Sequence, residues 1–152
     1  RQNAAWDAHE ESSYLTKQTA AKAIENRQDV VWDGTGDGRI SSMIKKIEQF
    51  REAGYQVKAD YATLDTELAV QLAKKRAERT GRTVPPAVIR KTHAAVSSIW
   101  PNLARQGMFD ESTLYDTNEK GVAKPIARAN RSGAIDVLDP TAYASFLAKA
   151  NA

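Results

Sequence analysis

Three observations in the sequence predict an α/β fold, a parallel sheet flanked by helices. Val30, Val31 and Trp32 form a short apolar run that stops at Asp33 and a glycine-rich turn. This is the pattern of a strand buried on both faces. Ile40, Met43, Ile44, Ile47 and Phe50 then recur at helical spacing, with Lys45, Lys46, Glu48 and Arg51 on the other side. Tyr55 to Ala62 follows with the alternation of a strand. Strand, helix and strand in succession read as a parallel crossover.

The 152 residues suit a single domain with a real core, and 41% hydrophobic with 27% charged residues is an ordinary globular composition. A net charge of +3 is too small to argue for nucleic acid. The absence of cysteine excludes a disulfide framework and a thiolate metal site. No apolar run is long enough to span a membrane and no secretory signal is visible, so the expected setting is cytoplasmic.

Residues Arg1 to Gln28 read as a helix carrying Trp6, Tyr14 and Ile24, with alanines adding propensity. Its His9-Glu10-Glu11-Ser12-Ser13 run is either a substrate-facing polar cluster or a solvated turn with a serine cap. The helix from Ile40 ends at Ala53-Gly54, where Gly54 suits a left-handed cap. Asp65 to Thr80 is the next helix. Its expected core row runs Leu68, Leu72 and on to Arg76, with Arg79 three residues further and Arg82 just past Gly81. Arginines that continue an apolar row point toward the body of the protein, and the guanidinium fork suits phosphate oxygens. The segment reads either as an arginine-bearing lid over a phosphoryl group or as a surface helix end favoured by the helix dipole.

Pro85 or Pro86 starts a further helix with Val88, Ile89, Thr92, Val96, Ile99 and Trp100 on its apolar side, kinked or ended at Pro101. His93 reads as a packed or capping residue, since no second ligand sits at metal spacing. Ser112 to Thr117, Ala127 to Asn130 and Ala134 to Leu138 read as strands, and Pro140 to Lys149 as a closing helix packed by Tyr143, Phe146 and Leu147.

Ligands of open α/β sheets bind at the carboxyl ends of strands. Asp33 and Thr35, placed after such a run, are therefore either site residues or caps of the next helix. Two rival motifs fail on this stretch. A calcium loop starting at Asp33 would need a bidentate glutamate where Ile44 stands. Gly34, Gly36 and Gly38 give G-x-G-x-G rather than the dinucleotide fingerprint.

Four segments fall in the order and spacing of the zeta-toxin-type P-loop kinases, over roughly residues 9 to 118. They are the turn Asp33-Gly34-Thr35-Gly36, the helix into Ala53-Gly54-Tyr55-Gln56-Val57, the arginine segment from Lys75 to Pro85, and Phe109-Asp110 leading into Leu114-Tyr115-Asp116. The chain resembles that family. The resemblance implies a P-loop-kinase-like sheet and transfer of the γ-phosphoryl group of ATP or GTP, with Mg2+, to a hydroxyl of a UDP-amino-sugar substrate. It further implies that Asp33 and Thr35 contact the sugar; Asp37 and Arg39 of the same turn, and Glu11 of the upstream polar cluster, are further candidates for the substrate-binding side. Arg82, with Arg76 or Arg79, would neutralise the transferred group. An antitoxin partner is also implied, and no metal ligand is assigned to the chain itself.

The chain departs from the family pattern at the turn, where Asp37 stands in place of the usual arginine with Arg39 close by, and more decisively in the phosphate-binding loop. No glycine is followed by lysine, so the family's G-x-x-x-x-G-K-[ST] loop is missing, and with it the acid that lies soon after the loop. In this fold the strand feeding that loop lies between the strand ending at Asp33 and the one starting near Tyr55. The expectation is therefore an N-terminally incomplete kinase domain, its first strand absent from this chain and supplied by a further N-terminal segment. The alternative is a catalytically inactive kinase scaffold kept as a binding or structural module of a larger assembly.

Overall fold

The computed structural model describes the backbone of residues 2–151 and, from Tyr14 onward, the side chains. The chain falls into two compact units, Arg1–Gly34 and Thr35–Ala152.

The first unit consists of helix α1 (Gln2–Glu25) and the extended segment that follows it. The helix closes with Gln28 N–H donating to Ala23 C=O at 2.9 Å and Arg27 N–H to Ile24 C=O at 3.1 Å. This is the paired closure of a Schellman turn, and it puts Arg27 in the left-handed region at φ 54°. Residues 28–33 then run alongside α1, enclosing an open groove of about 690 Å³ lined by Leu15, Ala20 and Ala23 against Val30, Val31 and Trp32. The expected strand at Val30–Trp32 is not formed: the sheet among the described residues contains none of these residues, and Val31 is 97% exposed. Composition lets a segment become a strand, but pairing makes it one, and this segment has no ladder to join.

The second unit begins with the turn at Thr35 and continues through α2 (Ile40–Glu52), β1 (Lys58–Thr63), α3 (Thr66–Thr80), α4 (Pro86–Arg105), β2 (Glu111–Asp116), β3 (Lys124–Asn130), β4 (Ile135–Val137) and α5 (Pro140–Ala148). A single 3-10 turn, Lys149–Asn151, closes it. Helix α2 buries Ile47 and lays Ile40, Met43 and Ile44 on the core, as its periodicity predicts. Its end is also as expected. Gly54 takes φ 90°, and Tyr55 N–H reaches back to Phe50 C=O at 3.1 Å. The rings of Phe50 and Tyr55 meet edge to face at 5.5 Å, the apolar contact that commonly seals this kind of cap.

The sheet order is β1-β2-β3-β4. Strands β1 and β2 are parallel, with Lys58 opposite Glu111 and Thr63 opposite Asp116, and α3 and α4 form the crossover between them. The other two pairs are antiparallel, so the α/β sheet is mixed rather than wholly parallel. Chain length explains this. A parallel return needs a dozen or more residues, whereas residues 117–123 and 131–134 allow only hairpin-like reversals.

Trp100 on α4 is the centre of the core, fully buried together with Leu103, Leu114 and Ile126. Its ring meets Tyr143 and Phe146 of α5, each edge to face at 6.2 Å. Its Nε1–H donates to Ser112 Oγ at 3.0 Å, and that hydroxyl donates onward to Ala59 C=O at 2.7 Å. One side chain thus joins α4, both parallel strands and α5.

Of the two outcomes expected at Pro101, a kink or an end, the end does not occur, and helix α4 runs through the proline to Arg105. A proline inside a helix costs about 3 kcal/mol, and burial of Trp100 and Leu103 on either side offsets it. In α3 the inward row is the buried Val70 with the half-buried Ala73 and Ala77; Val70 is 4% exposed but Leu72 is 49% exposed. Arg76 therefore does not continue a buried row, and it stands in solvent.

Candidate functional site

The turn that follows Gly34 rests on the sheet through Gly36. At φ 72° this residue is in the left-handed region, and a Cβ there would lie 2.8 Å from Tyr61 Cε1. Glycine alone satisfies both conditions. Tyr61 of β1 packs its ring against Phe109 at 6.3 Å, and burial pushes its hydroxyl pKa up to about 12. The phenol is therefore a fixed neutral platform under the turn.

Asp37 anchors the turn from the other side. Thr35 Oγ1 donates to its Oδ1, and Thr92 Oγ1 of α4 donates to its Oδ2 at 2.7 Å. Those hydroxyls, Thr35 first, hold the carboxyl below its usual pKa, with Lys91 adding a smaller Coulombic pull. Because Thr35 gives its proton to Asp37, its lone pairs remain free to accept from a ligand hydroxyl. Neither Thr35 nor Asp37 caps α2. The N-cap is Arg39, which makes no side-chain cap bond, and its carbonyl accepts from Ser42 and Met43. Asp33 is exposed in the first unit, where it borders the groove beside α1. Glu11 lies outside the described side chains.

Six of the arginines fall into two groups. Arg90 grips Glu67 with two bonds of 2.9 and 3.0 Å, Arg131 pairs with Asp110 at 3.5 Å, and Arg51 donates to Met108 C=O at 2.6 Å. These three fasten elements together. Arg76 and Arg79, on the last turns of α3, and Arg82, just beyond its left-handed cap Gly81, are exposed. Among the described residues their side chains form no ion pair. The structure therefore brings Thr35 and Asp37 together, and it holds the three arginines on a separate helix end without a bond to that turn.

His93 is half-buried with its Nδ1 at 3.0 Å from Thr66 Oγ1, which bears out its reading as a packed residue. Burial, and secondarily the nearby Lys149 ammonium, lower its pKa. Thr92 was not singled out as functional from the sequence, although a hydroxyl set within the row Val88, Ile89 and Val96 is the signal that could have found it.

The anchoring carboxylate has a measurable pH signature. Its folded pKa lies below the unfolded value, so its contribution is present above the ordinary carboxylate pKa of 3.8 and is lost as pH falls through the lowered value. Urea midpoints measured from about pH 7 down to about pH 2 are expected to fall less steeply for Asp37→Asn than for the parent, the two curves converging in acid. Parallel curves would show that Asp37 does not hold the turn.

A helix-covered sheet whose parallel pair is joined by an arginine-bearing crossover is an α/β arrangement of P-loop-kinase type. The chain belongs to the zeta toxin family: the family model described as Zeta toxin matches residues 1–127. Membership places it among kinase-like phosphotransferases. No curated protein and no solved structure matches the chain. Strand β4, α5 and the 3-10 turn lie beyond the matched residues. No helix among the described residues is long and apolar enough to cross a membrane.

A magnesium–nucleotide complex needs a phosphate cradle and oxygen ligands. The chain has no glycine followed by lysine, and among the described residues no three His, Asp or Glu side chains cluster to hold a metal. These residues do not fit that group by themselves. What they can supply is an acceptor hydroxyl on a braced turn and uncommitted cationic charge.

Proposed function

We propose that these residues form the substrate-facing and lid portion of a zeta-toxin-type phosphotransferase. In the proposed reaction a hydroxyl oxygen of a UDP-amino sugar bonds to the γ-phosphorus of ATP or GTP in the presence of Mg2+. The bond to the bridging oxygen breaks, the nucleoside diphosphate leaves, and the hydroxyl proton is released. Thr35 accepts from the sugar and Arg39 stands beside it in sequence, while Asp37 braces the turn. Arg82, with Arg76 or Arg79, neutralises the phosphoryl oxygens. Asp33 is assigned to the sugar by family resemblance, and Glu11 by the polar cluster it belongs to in the sequence. An antitoxin partner and a cytoplasmic setting belong to the same reading.

The observation that supports it is the division of the arginines. Arg51, Arg90 and Arg131 are committed to partners, whereas Arg76, Arg79 and Arg82 gather at one helix end with no ion pair among the described residues, where a planar cation would meet phosphate oxygens. The unmatched phosphate cradle favours a second reading, a kinase scaffold retained as a binding module.

The deciding experiment incubates the complete gene product with γ-labelled ATP or GTP, Mg2+ and a set of UDP-amino sugars. Label on the sugar nucleotide is the expected result. Saturable sugar-nucleotide binding without label transfer would establish the binding module instead.

A further inference from the structure

Beyond the matched residues, the last turn of the chain is seated on the carboxyl ends of the parallel pair. There Thr117 donates both its N–H and its hydroxyl to Thr63 C=O, at 2.8 and 3.1 Å, clamping the end of β1 to the end of β2. Two acceptors remain at the mouth, Thr63 Oγ1 and Leu64 C=O. Lys149 Nζ donates to both, at 2.6 and 2.5 Å. A cleft of about 370 Å³ opens beside them, lined by Asp65, Asp116, Ser145 and Phe146 among others.

We infer that this mouth is a binding site for a primary ammonium group, and that Lys149 is its resident occupant, latching the C-terminal turn across the cleft. The chemistry of the lining selects the ligand class. The mouth offers a hydroxyl oxygen, a carbonyl oxygen and the field of two carboxylates, all suited to a compact N–H donor and none to an anion. A divalent metal is a poor alternative, since no cluster of three metal-ligating side chains occurs among the described residues. A lysine ordinarily sends its ammonium out to water along its flexible stem. Here burial lowers the Lys149 pKa, while Asp65 and Asp116 act in the opposite sense. The titratable groups facing it are thus those two carboxylates and His93 from α4, whose own pKa burial and, secondarily, the ammonium depress. Converging acceptors are what hold a half-buried ammonium in such a place. The carboxyl edge of a parallel pair is also where α/β sheets receive ligands, so an amine-bearing ligand would compete with Lys149 for this position.

The test is chemical rescue. Lys149→Ala is expected to melt several degrees below the parent, and methylammonium is expected to restore its Tm along a saturating curve. Tetramethylammonium at matched ionic strength, which has no N–H, is expected to do nothing. The parent is expected to respond to neither. Equal melting of variant and parent, or equal effects of the two cations, would overturn the inference. Thr63→Val provides an independent arm, because it keeps shape while deleting an acceptor. Amide exchange over residues 147–151 is expected to speed up in that variant, and unchanged exchange would also refute the latch.

Discussion

Trp100→Ala is expected to lower the folding free energy by about 3–5 kcal/mol, read as a loss of urea midpoint by far-ultraviolet circular dichroism. The side chain is fully buried and touches the rings of both Tyr143 and Phe146. Truncation therefore leaves a cavity at the junction of α4, the sheet and α5, and it also removes the donor to Ser112. Against a typical stability of about 5–15 kcal/mol, that loss removes a large part of the total. The matching control is Leu72→Ala. An apolar row read through Leu68 and Leu72 makes that leucine a core residue, yet it is 49% exposed. Its truncation is expected to cost under about 1 kcal/mol. A large loss at Leu72 with a small one at Trp100 would mean that α3 and α4 present other faces to the sheet.

That pair of residues shows what periodicity can and cannot decide. Helices α2 and α4 each carry one dominant apolar stripe, and the sequence places them closely except at Val88, which opens the α4 row but is 49% exposed. Helix α3 has two rows of similar quality, one through Leu68 and Leu72 and one through Val70, Ala73 and Ala77. Only the bond partners on α4, where Arg90 reaches Glu67 and His93 reaches Thr66, settle which row turns inward. The strand expected at Val30–Trp32 failed for a related reason. Apolar β-branched residues state a local preference, but a ladder is a long-range property that three residues cannot specify. The expectation of a wholly parallel sheet missed the reversal of β3 and β4, whose short connections bar a parallel crossover.

The candidate site was legible as a list of residues more than as an arrangement. The glycine turn stood out by composition, and Gly36 justifies its place by its approach to Tyr61. The role of Asp37 did not stand out, because Thr92 lies on a helix remote in sequence and no local pattern announces the bond between them. Lys149 was equally silent, since its partners Thr63 and Leu64 sit at the far end of another element.

Arg82→Ala in the complete gene product is expected to reduce kcat for phosphoryl transfer by about a hundredfold or more, since arginines that stabilise a transferred phosphoryl group are worth roughly 10³–10⁵. Arg82 fastens no other element of the fold. It is exposed past the end of α3, its side chain pairs with no described residue, and only its backbone N–H is engaged, with Thr80 Oγ1 at 3.4 Å. Its removal should leave stability within about 0.5 kcal/mol of the parent. An arginine that bridges the transferred group and the leaving oxygen binds the transition-state charge distribution more tightly than the ground state, so its loss should appear in kcat more than in KM for the sugar nucleotide. Arg76→Ala or Arg79→Ala should follow the same pattern for whichever of the two joins it. Arg90→Ala is the contrasting variant. It breaks an exposed pair with Glu67, so it should cost stability by at most about 1 kcal/mol and leave turnover unchanged. Steady-state kinetics of the four variants beside their melting curves make the comparison. Unchanged turnover in Arg76→Ala, Arg79→Ala and Arg82→Ala alike would return these arginines to the role of a solvated helix end, favoured there only by the dipole of α3.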